Sequence, residues 1–284
     1  MFAITDIVPA LPDFSIVDVG PAQPATPQRW QGLLDAGIAR VVGFEASAAT
    51  CAGLSAAASP RQTFLPLTIG DGSERTLHLT AHPAYTSVYE PNEAYIQLLR
   101  GAAPLFGVVG TERVRTQRLD DVAALQAAGC DFMNFDVPGA TVAALTGAPR
   151  LLEATLALQV RVYLVPMYRD QPMLGDVDTL LRRHGFVVHS HLQSGGATLD
   201  HTPLDDGPGI YLNQEIWADF VYVKDFADAD SQPAARWIRF AVLLHELYRS
   251  YDLAHLALAH ADRRDDSDLA PRYLAAYEAG AANS

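Results

Sequence analysis

The chain has 284 residues, 49% apolar and 19% charged, with a formal net charge of −13. That composition suits a soluble globular enzyme with a sizeable core. The acidic balance argues against nucleic acid and anionic membranes as partners, because both demand a basic face. Cys51 and Cys130 offer neither a disulfide framework nor zinc spacing. The opening "MFAITDIVPALPDF" lacks the basic start and apolar run of a secretory signal, and no stretch of about 18 apolar residues is present, so the expected compartment is the cytoplasm.

Apolar, β-branched runs alternate with helical patterns. "SIVDVG" (15–20) reads as a strand. "TPQRWQGLLDAG" (26–37) reads as a helix, with Thr26 as N-cap, Pro27 at the first helical position and Gly37 as the stop. "ARVVGFEAS" (39–47) is a second strand, and "FLPLTIG" (64–70) and "RTLHLTA" (75–81) flank a "DGSE" turn. "RVRTQRL" (113–119) is a strand, and "LDDVAALQAAG" (119–129) is a helix with acids at its start. The run Phe132 to Val137 stops at a Pro-Gly pair, and a helical pattern follows. "LALQVRVYLVPMY" (156–168) is a strand and "GDVDTLLRRHG" (175–185) a helix. "FVVHSHL" (186–192) and "WADFVYVKDF" (217–226) are the last strands; "SGG" (194–196) and "DDGPG" (205–209) read as turns. From residue 233 the pattern is wholly helical. The alternation predicts a mainly parallel sheet with helices on both faces, in a domain of residues 1–232, with a helical extension of residues 233–284 packed on it or on a second copy in a homodimer.

In open α/β sheets ligands sit beyond the carboxyl ends of the strands. Asp18, Gly20 and Glu45 fall there: glycine lets backbone approach a ligand, and an acid after the second strand can accept a ribose diol. They suggest a nucleoside-bearing cofactor; a capping Asp and a surface Glu are the bland alternative. No G-x-G-x-x-G, P-loop or G-x-S-x-G occurs. His189 and His191 share a strand face, but no third ligand completes a metal site, and no metal is expected. His245, His255 and His260 read as packing or surface residues of the tail. Asn134 and Asp136 share one strand face, as do Arg161 and Tyr163 on the strand expected beside it. The four make either a polar patch beside the cofactor or a hydrogen-bonded core network.

"DVG…VVGFEAS…CAGL", "TIGDG…TLHLT…TSVYEPN", "VRTQRLDDV…DFMNFDVPGATVAALTGAPRLL" and "PMYRDQPMLGDVDTLLRRHGF" together resemble the FkbM-type methyltransferases over roughly residues 13–225, and "LLHELYRSYDLA" is similar to the tail of a bacterial branch of the family. The resemblance implies the class I, Rossmann-like fold that uses S-adenosyl-L-methionine (SAM). It implies that Asp18 and Gly20 line the methionine end of SAM and that Glu45 holds the ribose. Gly70 and Asp71 would lie by the adenine, Ser87 near the site, and Asp136 close to the sulfonium.

The departures cluster. The family usually reads K-I-D-[IV]-Q-G-x-E where this chain has "NFDVPGAT", which places Asn134, Pro138 and Thr141 at its Lys, Gln and Glu positions. On the next strand one branch reads E-V-E-F-L-P-M-Y, and this chain has Arg161 and Tyr163 at the acidic positions. Prolines stand at 21 and 24 in the first loop. The expectation is that a set of opposite charges is lost together, that SAM still binds, and that the second-substrate chemistry differs. Three readings follow, the first two in secondary metabolism. In the first, the amino group of SAM attacks its own γ-carbon, giving azetidine-2-carboxylic acid and methylthioadenosine. Asn134, Asp136 and Tyr163 would handle the amine, with Phe132, Phe135, Tyr85 and Tyr168 available as aromatic faces. The second is methyl transfer to a hydroxylated small molecule, with Asp136 or Tyr163 as base. The third is a SAM-binding module without catalysis.

Overall fold

The computed structural model describes residues 2–9, 11, 13–21, 28–126, 129–201 and 213–281. Nine strands lie in chain order: β1 Phe14–Val19, β2 Ala39–Phe44, β3 Gln62–Leu65, β4 Glu74–Thr80, β5 Val108–Arg115, β6 Phe132–Phe135, β7 Ala157–Tyr163, β8 Phe186–Gly196 and β9 Glu215–Lys224. Seven form one sheet in the order β3-β2-β1-β6-β7-β9-β8, while β4 and β5 make a separate antiparallel pair. The pairs of β1 with β2 and β6, of β2 with β3, and of β6 with β7 are parallel. β9 runs antiparallel between β7 and β8. The order reverses between β1 and β6, which opens a crevice beyond their carboxyl ends.

Alternation along the strands feeds two cores. One face carries Phe14, Ile16, Phe132, Ala157, Val221 and Val223, covered by Trp30, Leu33, Leu34 and the C-terminal helices at residues 234–243, 251–265 and 269–281. The other carries Val17, Val19, Met133, Phe135, Leu158 and Val160, covered by the helices around residues 119–126, 141–154 and 174–183. This is the expected class: a mainly parallel sheet with helices on both faces. The tail is tied down by more than apolar packing. Arg239 Nε donates to Asp131 Oδ1 at 2.7 Å, its guanidinium lies over the Phe14 ring 4.3 Å from the centroid, and Asp131 also accepts from the Ser15 N–H at 2.8 Å. Between the helices at 234–243 and 251–265, residues Leu244–Tyr248 form a π-helical turn that ends at Arg249 with φ 54°. No helix among the described residues is long and apolar enough to cross a membrane.

Several boundaries differ from the sequence expectation. The first helix is only Gln31–Asp35, and the expected cap Thr26 and Pro27 lie outside the described residues. The strand expected at 64–70 is Gln62–Leu65, and the one expected at 113–119 is Val108–Arg115. The helix expected at 119–129 breaks into a 3₁₀ turn, Leu119–Asp121, and a short helix, Ala123–Gln126. "SGG" is not a turn but the end of β8. A Cβ on Gly195 would meet the Trp217 indole at 2.4 Å, so glycine there makes room for an aromatic ring. The "DDGPG" turn lies outside the described residues.

Candidate active site

Parallel pairing places Asp18 of β1 opposite Asn134 of β6, and Asn134 opposite Gln159 of β7. Asn134 Nδ2 donates to Asp18 Oδ1 at 2.8 Å, and both side chains are buried. Burial pushes the Asp18 carboxyl up to about 7, with the Asn134 hydrogen bond pulling it back and the Asp136 charge adding to the rise. Gly20 follows β1 with φ 78°, and a Cβ there would sit 2.2 Å from the Asp136 carbonyl oxygen. The turn after β1 thus packs backbone against backbone on the turn after β6, which supplies its own requirement for glycine.

One step nearer the carboxyl edge lies a line of charge. Arg161 Nη1 donates to both carboxylate oxygens of Asp136 at 2.8 Å. Its Nε and Nη2 donate to Asp219 of β9 at 2.8 and 2.9 Å, and Gln193 Nε2 of β8 donates to the same Asp219 carboxylate at 2.8 Å. The guanidinium also lies 4.1 Å from the Trp217 ring centroid. The opposite charges expected to be lost are therefore present in another arrangement. The cation comes from β7, and its acids come from the turn after β6 and from β9. The sequence reading missed Asp219, which stands opposite Arg161 on β9. That strand returns antiparallel from far along the chain, so its register against β7 has no local signal. Burial pushes Asp136 up to about 6, while Arg161 opposes the shift. Thr141 Oγ1 donates to the Arg161 carbonyl at 3.0 Å, so the residue at the family's Glu position anchors the strand that carries the cation.

Beyond the charged line stands an aromatic wall. Tyr163 and Tyr168 meet edge-on with centroids 5.7 Å apart, and Tyr85 stacks on Phe106 at 4.3 Å. The Tyr168 hydroxyl donates to the Tyr85 carbonyl at 2.9 Å. Burial pushes the Tyr163 hydroxyl up to about 12, so at neutral pH it is a proton-bearing donor rather than a base. Tyr85 and Tyr168 thus belong to the site's surroundings. Phe135 does not, because it points into the opposite core, and Phe132 lies two residues below Asn134 in the core beside Trp30.

The remaining expected residues are spread around this centre. Glu45 follows β2, and its Oε1 accepts from the Ser47 N–H at 2.8 Å, which fixes the carboxylate at the start of the helix Ala48–Ala57. Gly70 packs tightly between Thr116 and Gly147: a Cβ on Gly147 would come 2.1 Å from the Gly70 carbonyl oxygen. Asp71 is held by its own loop, accepting from the Ser73 N–H at 3.0 Å, from the Ser73 hydroxyl and from Arg75 Nη2 at 2.9 Å. Burial alone would raise its carboxyl; the Ser73 and Arg75 hydrogen bonds overcome this and hold it at about 2. Ser87 donates to the Pro138 carbonyl at 2.5 Å, tying the segment after β4 to the turn after β6. His189 and His191 do not converge. The register of β8 shifts between Val188 and Ser190; His189 feels Asp252 of the tail, and the His191 ring packs against Phe220. Among the described residues no cluster of three or more His, Cys, Asp or Glu could hold a metal ion.

No curated protein matches the chain. Among solved structures it is similar to the magnesium protoporphyrin IX methyltransferase of Synechocystis PCC 6803 with bound SAM, at 12% identity and a TM-score of 0.34, over 75% of this chain and 71% of that one. A family model described as the methyltransferase FkbM domain matches residues 18–188. The match opens on Asp18, takes in Asn134, Asp136, Arg161 and Tyr163, and closes within β8. It spans more than half of the chain, and the protein belongs to the FkbM methyltransferase domain family.

Proposed function

We propose that this protein binds SAM beyond the carboxyl ends of β1 and β2 and directs its methyl group to a hydroxyl of a small-molecule acceptor. The observation that carries this reading is the juxtaposition of Asp18, buried and bound by Asn134, with an Asp136 carboxylate that Arg161 holds in one orientation. A buried carboxylate at the strand-order reversal suits the methionine ammonium of SAM, and Glu45 suits the ribose hydroxyls. Bound there, SAM supplies an electrophilic methyl carbon and is left as S-adenosylhomocysteine once that carbon has moved from sulfur to oxygen. Asp136 accepts the proton released by the acceptor hydroxyl. Its value of about 6 suits a base at neutral pH. A carboxylate has about four lone-pair sites, so the two bonds from Arg161 leave room for a substrate proton. Tyr163 stays protonated and serves as a donor.

Cyclisation of SAM to azetidine-2-carboxylic acid is the second reading. The wall of Tyr163, Tyr168 and Tyr85 beside the charged line favours it, because aromatic faces attract a sulfonium. It ranks second because its main ground was a loss of charge, and Arg161 supplies a cation bound by two acids. Incubation with SAM alone, followed by mass spectrometry, separates the two. Intact SAM that yields S-adenosylhomocysteine only after hydroxylated acceptors are added is the expected result. Methylthioadenosine from SAM alone would replace methyl transfer by cyclisation.

A further inference from the structure

Arg161 serves its two acids unequally. Asp219 meets the guanidinium side-on: Nε donates to its Oδ1 at 2.8 Å and Nη2 to its Oδ2 at 2.9 Å, so two nitrogens engage both carboxylate oxygens. Asp136 takes one nitrogen, Nη1, at 2.8 Å from each oxygen. Two parallel bonds fix the plane of a guanidinium, whereas bonds from a single nitrogen let it swing. The Trp217 ring, with its centroid 4.1 Å from the guanidinium carbon, backs the same group. Asp219 and Trp217 are two residues apart on β9 and share a face of that strand. Gln193 Nε2 of β8 adds a third donor to Asp219 at 2.8 Å, on the oxygen that Nη2 also uses. Burial sorts the acids in the same way: the Asp219 side chain is 3% exposed and that of Asp136 30%. The sealed acid fixes the cation, and the open acid faces the crevice beyond the strand ends.

We propose, on the reading of Asp136 as the base, that Asp219 is its positioning residue: it fixes the plane of Arg161 and offsets the guanidinium charge, so that Arg161 orients Asp136 without suppressing its basicity. A cation alone against a carboxylate lowers its affinity for a proton and makes it a weaker base. Asp219 supplies the opposite charge on the far side of the guanidinium, so Asp136 faces a neutral pair rather than a bare cation. The Asp136 carboxyl responds to the same groups: burial pushes it up to about 6, the Arg161 charge pulls it back, and the Asp219 charge adds to the rise. Asp18 of β1 and Tyr163 of β7 also feel Asp136, and both are buried. Asp219 reaches the acceptor only through Arg161 and Asp136, so its effect is on the orientation and proton affinity of the base.

The test is a pH titration of the full chain by NMR, with isotope labels at the Asp carboxyl carbons and the Arg guanidinium nitrogens and with no acceptor added. The Asp136 and Arg161 signals are assigned by their loss in Asp136→Asn and Arg161→Lys. In wild type, Asp136 is expected to titrate with a midpoint of about 6, while the Arg161 Nε–H signal stays protected from exchange across that midpoint, because Asp219 holds it. In Asp219→Asn the Asp136 midpoint is expected to fall by at least about one pH unit, and the Nε–H to exchange about tenfold faster. Asp219→Glu restores the charge and is expected to bring the midpoint back. A midpoint unchanged or raised in Asp219→Asn, or still lowered in Asp219→Glu, overturns the proposal. Should Asp219→Asn fail to fold, wild type decides: an Nε–H signal that loses protection as Asp136 gains its proton would make Asp136 the anchor of the plane. A chain that forms no S-adenosylhomocysteine with any hydroxylated acceptor overturns the methyl-transfer reading instead, and the titration still decides what Asp219 does.

Discussion

Arg161 on β7 and Asp136 just past the end of β6 are joined by Nη1, 2.8 Å from both carboxylate oxygens, and the rest of the guanidinium is spent on Asp219. One cation thus orients one acid toward the crevice and stitches β6, β7 and β9 together. Removing it leaves two acids in a largely buried place. Arg161→Met is expected to lose about 3–5 kcal/mol of stability, read by urea unfolding. Arg161→Lys restores the charge but not the planar fork, so it is expected to recover part of the stability and little activity. Full activity in Arg161→Lys would contradict an orienting role.

The Asp18 carboxyl is raised from 3.8 to about 7 by burial. Its folded-state value lies above its unfolded one, so its contribution to stability is full below 3.8 and is lost as pH rises through about 7. With Asp18 in the proposed SAM site, affinity for SAM is expected to run the other way, because only the ionised carboxylate attracts an ammonium. Across the same window the melting temperature of the free protein is expected to fall while SAM binding tightens. Asp18→Asn should flatten both profiles. Calorimetric titrations at matched ionic strength check the second, and a slope unchanged in Asp18→Asn would remove Asp18 from the SAM site.

Gly195 makes room for Trp217, and Trp217 backs Arg161 at 4.1 Å. In Gly195→Ala the new methyl group forces the indole to move. A shifted tryptophan emission maximum and a loss of activity on the order of tenfold are expected, since small misplacements of a positioned group are costly. An unchanged spectrum with full activity would show that the sheet yields without disturbing Arg161.

Arg239→Ala removes the cation that joins the tail to Asp131 at the start of β6. The pair is mostly buried, so the expected loss is about 3–5 kcal/mol, seen in urea unfolding and as faster amide exchange in residues 234–265. Exchange confined to the far helix would instead place the anchor elsewhere.

Hydrophobic alternation made most of the sheet readable. The parallel strands Phe14–Val19, Ala39–Phe44, Phe132–Phe135 and Ala157–Tyr163 are short apolar runs, and each was expected within a few residues. The period also put Asn134 with Asp136, and Arg161 with Tyr163, on shared faces. Long-range register was not readable. No local pattern says that Asp219 stands opposite Arg161, so a relocated charge looked like a lost one. Nor does the sequence say that "SGG" continues a strand, because the reason for Gly195 is an indole on the neighbouring strand.

Asp18 and Glu45 are proposed to hold SAM at the carboxyl edge of β1 and β2. Isothermal titration of SAM into wild type, Asp18→Asn and Glu45→Gln tests it most directly. One-to-one binding to wild type and affinity at least about tenfold weaker in each variant are expected, as when a charged hydrogen-bonding partner is lost. No binding to wild type, or undiminished binding in both variants, would contradict it.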